Sequence, residues 1–215
     1  LIRIQEAIEK VVIQQRSKRT LHLELSKKFW TRHLSQGDWA IDATCGNGHD
    51  TLFLASQEGI SVVSLDIQKE ALQNTTLLLE KNLSPEAQKR VSLLEQSHAT
   101  LPLTPKAPKL IIYNLGYLPR GDKTITTKTE TTLESLRSAL KILPKDGAIS
   151  ILCYPGHAEG LIEQEAIILF LDSIQNRYTY ERYQYTDEPA RDFLPYIPKR
   201  SSNHFPNFFW ISKII

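Results

Sequence analysis

The run Asp42-Ala43-Thr44-Cys45-Gly46-Asn47-Gly48-His49-Asp50-Thr51 sets two glycines among two aspartates and two threonines, directly after the apolar stretch Trp39-Ala40-Ile41. Glycine has no Cβ, so the backbone at Gly46 and Gly48 can approach a ligand closely. Amides at the start of a following helix would face a polar or anionic group. Asp42 or Asp50 would order such a loop by accepting from backbone amides, and Asp42 would also receive a cationic amine lying above its strand. A second apolar run, Ser61 to Leu65, ends in Asp66. A carboxylate there is placed to accept the two hydroxyls of a ribose. The competing reading is a tight turn in a generic α/β sheet with Asp66 as a cap. The combination of glycine loop and two strand-end acids favours a nucleotide-like cofactor.

That cofactor is unlike a dinucleotide. After Gly48 come His49, Asp50 and Thr51, with no third glycine to complete Gly-x-Gly-x-x-Gly. A ligand with one adenosine and a charged amino-acid tail fits better than one with a pyrophosphate, and that ligand is S-adenosyl-L-methionine. Ser97 and His98 follow the third strand candidate, where a base would lie. Ser97 would meet the ring edge and His98 would pack against it, with a plain loop cap an equal alternative for both.

A second group of reactive types is Tyr113-Asn114-Leu115-Gly116-Tyr117-Leu118-Pro119-Arg120-Gly121-Asp122-Lys123. Ligands in open parallel sheets sit beyond the strand C-termini, where Asn114 should emerge. Its side-chain oxygen and the Leu115 carbonyl would accept from an amine and aim its lone pair at a sulfonium methyl. The Tyr117 ring face would stabilise developing positive charge. Such a transfer requires no metal, and the six histidines never fall at ligand spacing with a second Cys or His. Asp122 and Lys123 would order the loop, meet substrate, or form an ion-paired turn. His157 is the best general-base candidate; a role beside a helix N-cap or as a hydrogen-bonder to substrate is slightly favoured. Cys153 reads as an apolar strand residue. Lys199, Arg200, Asn203 and His204 would touch RNA phosphate, with Phe205, Phe208, Phe209 and Trp210 divided between base stacking and sheet core.

The elements that must position these groups alternate. Helices are expected over 4–13 and 20–34, the latter with a stripe at Leu21, Leu25, Phe29 and Leu34. Strands are expected at about 39–43, 60–65, 90–94, 110–113, 147–152, 178–185 and 208–214. Helices between them are expected at about 49–57, 68–82, 129–142 and 158–175, and loops at 115–128 and 186–206. This rhythm predicts an α/β fold, Rossmann-like, with a seven-stranded, mostly parallel sheet covered on both faces. The last two strands, with no helix between them, predict an antiparallel hairpin, and the expected order is 3-2-1-4-5-7-6.

A chain of 215 residues, 41% apolar, is long enough for one domain with a real core. We expect a single domain over 1–215 with an N-terminal helical extension at 1–36. The formal charge of +2 permits a local RNA-facing patch without arguing for one. Two cysteines build no disulfide framework and suit a reducing compartment. There is no run of eighteen apolar residues and no long apolar stretch at the N-terminus. The expectation is a cytoplasmic protein.

The same residues resemble a known family, the class I methyltransferases once labelled ribosomal RNA methylases. It includes the bacterial enzyme that methylates 5-aminomethyl-uridine at the tRNA wobble position. The resemblance runs over about 36–175. It is carried by Gly37-Asp38, Ile41-Asp42-Ala43-Thr44, Gly46-Asn47-Gly48-His49-Asp50-Thr51, Asp66-Ile67-Gln68, Ser97-His98, Asn114 to Pro119, Gly121-Asp122-Lys123 with Ile125-Thr126-Thr127, and Gly156-His157 with Glu159-Gly160. The long motif from Asn114 to Lys123 is the specific part. Arg120 departs from the family's usual Gly, Ser201 to Asn207 differs from its Asn-x-x-Asn-x-Pro-Pro pattern, and Ile211-Ser212-Lys213 replaces the more common Ile-Glu-Lys.

The resemblance implies S-adenosyl-L-methionine as donor. Its contacts would be Asp42, Thr44, Gly46, Asn47, Gly48, Asp50, Thr51, Asp66, Ile67, Gln68, Ser97, His98 and Asn114. It implies catalytic positions at Asn114, Tyr117 and His157, and an aminomethyl nitrogen of a tRNA wobble uridine, often 2-thiolated, as acceptor. The partner would be tRNA rather than DNA or a membrane, with the N-terminal helices aiding RNA docking or a homodimer contact. Alternatives are methylation of ribosomal RNA or of a small amine, and a catalytically silent RNA-binding protein.

Overall fold

The computed structural model describes residues 21–119, 121–122, 124–184 and 206–214. The helix expected at 4–13, Arg120, Lys123, and the loop with Lys199, Arg200, Asn203, His204 and Phe205 lie outside the described residues. Strands β1 (Trp39–Asp42), β2 (Ser61–Asp66), β3 (Val91–Glu95), β4 (Leu110–Asn114), β5 (Ala148–Cys153), β6 (Tyr178–Gln184) and β7 (Asn207–Lys213) form one sheet. Their order is β3-β2-β1-β4-β5-β7-β6, as expected. The first five pair in parallel. Strand β7 runs antiparallel between β5 and β6, with Ile151 opposite Phe209 and Tyr180 opposite Ile211.

Burial explains why the central strands read as continuous apolar runs. All six residues of β5 are buried, and so are Leu110 to Tyr113 of β4. Strands covered on both faces have no polar side to alternate. Strand β3 lies at the edge and is less buried. The sheet separates two cores. One holds Ile41, Ile111, Tyr113, Ile149, Ile151 and Phe209 under α5 (Thr129–Ile142) and α6 (Ala158–Ser173). The other holds Ala40, Ile112, Leu152, Phe208 and Trp210 under α1 (Leu21–His33) and α2 (His49–Ala55). Phe208, Phe209 and Trp210 are therefore core, and their aromatic rings serve the sheet rather than a flipped base.

Helix α1 corrects the expected stripe. The buried residues are His22, Ser26 and Trp30, at intervals of four, continued by Leu34 beyond the helix end. Leu25 and Phe29 are only half-buried. Polar partners select this face: the Trp30 indole Nε1 donates to Ser150 Oγ at 2.8 Å, and His22 Nε2 lies 3.0 Å from Tyr154 Oη. A tryptophan so buried contributes about 3–5 kcal/mol relative to alanine. This helix is part of the second core. A short helix α4 (Pro85–Gln88) follows α3 (Lys69–Asn82). Ser84 caps it by accepting from Ala87 N–H at 3.3 Å.

Candidate active site

The C-terminal ends of β1, β2, β4 and β5 open onto a cavity of about 1110 Å³. Its walls are the glycine loop after β1, the segments after β2 and β3, the loop after β4, and the start of α6. Thr44, Gly46, Asn47, Asp50, Asp66, Ile67, Gln68, Ser97, His98, Asn114, Tyr117 and His157 all line it. Asp42, Gly48 and Thr51, expected to meet a ligand, do not line it; they stand behind the wall.

The reason lies in how the glycine loop is held. Asp42 is 1% exposed, and its Oδ1 accepts Thr44 N–H at 3.2 Å. Its Oδ2 lies 2.7 Å from Thr51 Oγ1, which is also 2.9 Å from Ser64 Oγ. Burial pushes the Asp42 carboxyl up to about 7, helped by the nearby charge of Asp50. Asp42 therefore orders the loop as one sequence reading expected, and is too enclosed to receive a cationic amine. Gly48 has φ of 78°, and a Cβ there would lie 2.6 Å from Thr75 Oγ1. Its missing side chain serves loop-on-α3 packing instead of ligand approach.

Asp66 joins the loops after β1 and β2. Its Oδ2 accepts Gly46 N–H at 2.9 Å and its Oδ1 accepts Gln68 N–H at 2.8 Å. Each carboxylate oxygen keeps further lone-pair capacity for a hydroxyl. Cys45 is buried in the loop, 3.1 Å from Thr75 Oγ1, and burial pushes its thiol up to about 12. It is no nucleophile. At the other end of the cavity, Ser97 Oγ accepts Ala99 N–H at 3.2 Å, so Ser97 both caps its loop and lines the wall. His98 packs edge-on to Tyr113, ring centroids 6.4 Å apart. Burial lowers it to about 4, so it is neutral.

Asn114 is fixed from two sides. Its backbone N–H donates to Thr44 Oγ1 at 2.7 Å, and its side-chain Nδ2 donates to Asp50 Oδ2 at 3.1 Å. Only the nitrogen end of an amide can bond a carboxylate, so the oxygen end is the one left to accept. Asp50 is 8% exposed; burial raises its carboxyl, and Lys27, with Nζ 3.7 Å from Oδ1, opposes that.

The loop after β4 begins at Gly116, whose φ of 135° suits glycine. It returns through a bridge between Tyr117 and Thr126. Tyr117 is 40% exposed at the mouth, its ring 5.6 Å from that of His157. Asp122 Oδ1 accepts both Thr124 N–H and Thr124 Oγ1–H at 2.8 Å, so it orders its own turn.

His157 is the N-cap of α6, its Nδ1 accepting Gly160 N–H at 3.1 Å. That bond places the ring proton on Nε2, which is buried without a protein partner. The N-cap position is the milder of the two roles weighed for His157. Cys153 is fully within β5, and burial raises its thiol strongly.

Sequence reasoning missed Leu23 and Lys27 of α1, which also line the cavity. No signal in the local pattern could have placed them there. It also missed Glu163, buried in α6 between Thr127 and Thr132. A signal existed: Glu163, Ile167 and Leu171 recur at intervals of four, which puts a carboxylate on the helix's buried stripe.

Comparison with known proteins agrees with this architecture. The sequence family described as "Putative rRNA methylase" matches residues 62–197. An Arabidopsis thaliana protein named "tRNA (mnm(5)s(2)U34)-methyltransferase, chloroplastic" is 32% identical over 190 residues, which span 83% of this chain and 69% of that protein. A crystal structure described as a "putative rRNA-methylase" from Clostridium thermocellum is 34% identical with a TM-score of 0.76, covering 89% of this chain and 97% of that one. A Streptococcus mutans "putative methyltransferase", solved in complex with SAH, is 30% identical with a TM-score of 0.71, again over 89% of this chain and 97% of that one.

Proposed function

The chain belongs to this rRNA methylase family of S-adenosylmethionine-dependent methyltransferases, and from that membership we propose that it methylates the exocyclic amine of 5-aminomethyl-(2-thio)uridine at the tRNA wobble position. The residues at hand suit the donor. Asp66 offers carboxylate oxygens to ribose hydroxyls while its own position is held by Gly46 and Gln68. Ile67 and His98 offer apolar and aromatic surface to an adenine, and Ser97 a hydroxyl to its edge. Thr44, Asn47 and Asp50, which line the cavity, would hold the donor's amino-acid tail. Asp42, Gly48 and Thr51 support that wall from behind. S-adenosylmethionine, when bound, supplies an electrophilic methyl on a sulfonium centre.

The observation that carries the acceptor assignment is the locked amide of Asn114. With its nitrogen held by Asp50, its oxygen would accept an N–H from an uncharged amine. The Leu115 carbonyl would accept a second N–H, and the pair would aim the lone pair. Tyr117 at the mouth offers a ring face to the charge that develops on nitrogen. The similarity to a relative named for methylating a tRNA wobble uridine supports RNA over a free amine.

The test is direct. The protein is incubated with S-adenosylmethionine and total tRNA lacking this methyl group, and the nucleosides are analysed. A new 5-methylaminomethyl species is the expected product. Folded, donor-binding protein that leaves tRNA unchanged, or that modifies ribosomal RNA or free amines instead, defeats the assignment.

A further inference from the structure

Behind the cavity wall runs a line of hydrogen bonds that the transfer itself does not use. His98 Nε2 lies 3.3 Å from Thr132 Oγ1. Thr132 Oγ1 donates to Glu163 Oε1 at 2.6 Å, and Thr127 Oγ1 donates to Glu163 Oε2 at 2.8 Å. Thr127 Oγ1 in turn accepts Gly116 N–H at 3.0 Å, while Thr127 N–H returns to Gly116 O at 2.9 Å. Glu163 is 3% exposed and Thr132 is fully buried. The line begins at His98 on one side of the cavity and ends at Gly116, two residues past Asn114, on the other.

Counting hydrogens gives the line a direction. Burial raises the Glu163 carboxyl, and the two threonine bonds oppose that by favouring its ionised form; each threonine hydroxyl has one hydrogen, and both are given to that carboxylate. Thr132 can then only accept from His98, which must carry its proton on Nε2. Thr127 can only accept from Gly116. Every donor points toward Glu163. A carboxamide at this position would put a hydrogen into one of the two bonds. On the Thr132 side, that turns the hydroxyl toward His98, which must then present a bare Nε2 and hold its proton on Nδ1. On the Thr127 side, it strands a buried hydroxyl hydrogen, which is costly.

We propose that Glu163 is a positioning residue coupling the two halves of the active site: its carboxylate sets the His98 tautomer on the donor side and pins the Gly116–Thr127 loop on the acceptor side, so that donor and RNA bind interdependently. The inference rests on the reading that His98 meets the donor and that the Asn114 loop meets the RNA amine. Coupling of this kind needs one element that both sites bias, and the buried carboxylate is that element.

The experiment uses Glu163→Gln, nearly equal in shape. Long-range proton–nitrogen NMR of the histidine rings, without ligands, should show His98 protonated on Nε2 in the parent and on Nδ1 in the variant. Calorimetry of S-adenosylhomocysteine binding, with and without tRNA, should show at least about fivefold mutual enhancement in the parent and none in the variant. Thr127→Val cuts only the acceptor arm; it should abolish the enhancement and leave the His98 tautomer unchanged. That variant carries the test if Glu163→Gln does not fold. An unchanged tautomer in folded Glu163→Gln, enhancement that survives Thr127→Val, or no enhancement in the parent overturns the proposal. The tautomer measurement requires no methyl transfer, so failure of the substrate assignment is distinguishable from failure of the coupling.

Discussion

Asn114 Nδ2 donates to Asp50 Oδ2 at 3.1 Å, joining residues 64 positions apart in sequence. The bond ties the end of β4 to the first turn of α2. Lys27 approaches the other Asp50 oxygen from α1, at 3.7 Å. Three elements thus decide which way one amide faces. That direction determines whether the cavity offers an acceptor or a donor to an amine.

Removing the amide should separate binding from chemistry. Asn114→Ala is expected to lower kcat by about 10²–10³-fold, the range for a lost orienting or stabilising group. S-adenosylhomocysteine affinity should change much less. Steady-state kinetics and calorimetry together check this, and equal losses in both would end the orienting role.

Asp66 should act the opposite way. Its carboxylate holds Gly46 and Gln68 as well as facing the cavity. Hydrogen bonds to a charged group are worth about 1.5–3 kcal/mol each. Asp66→Ala should therefore weaken S-adenosylhomocysteine binding by about tenfold or more. An unchanged dissociation constant in a folded variant would remove Asp66 from the donor site.

His157 is expected to be dispensable as a base. His157→Asn retains a capping side chain and should leave the pH profile of methyl transfer with the same limbs as the parent. His157→Ala loses the cap and should cost about 1 kcal/mol in denaturant unfolding. Disappearance of a pH limb in His157→Asn would restore the base role.

Asp42 predicts a pH dependence of stability. Its folded carboxyl is raised to about 7 from an ordinary value of 3.8. Between those values the folded state holds a proton that the unfolded state has released. Stability from this group is thus fully present below about pH 4, falls as pH rises, and levels off above about 7. Asp42→Asn should flatten that slope in denaturant titrations run from pH 4 to 8. A slope identical to the parent's would show that Asp42 is ionised throughout.

Much of the fold was legible because apolar runs and punctuation are local. The buried runs Leu110–Tyr113 and Ala148–Cys153, with helices between strands, pointed to a parallel sheet. Two late strand patterns in succession pointed to the antiparallel pairing of Tyr178–Gln184 with Asn207–Lys213. The face of α1 was misread because the pattern favours leucines, whereas Trp30 and His22 found polar partners on β5 and just beyond it. Such pairings join residues more than a hundred positions apart, beyond the reach of any periodicity.

The sequence by itself determined which chemical groups the strand ends would carry: a glycine loop, Asp66, Asn114, and a histidine at a helix start. It did so because side-chain chemistry and strand or helix periodicity are properties of neighbouring residues. The tertiary structure decided which of them face the cavity and in which protonation state. It put Asp42 behind the wall, turned Asn114 through Asp50, and occupied the Nδ1 of His157. It also gathered His98, Thr132, Glu163 and Thr127 from separate elements. Orientation and proton location depend on burial and on partners distant in sequence, and those exist only once the chain has folded.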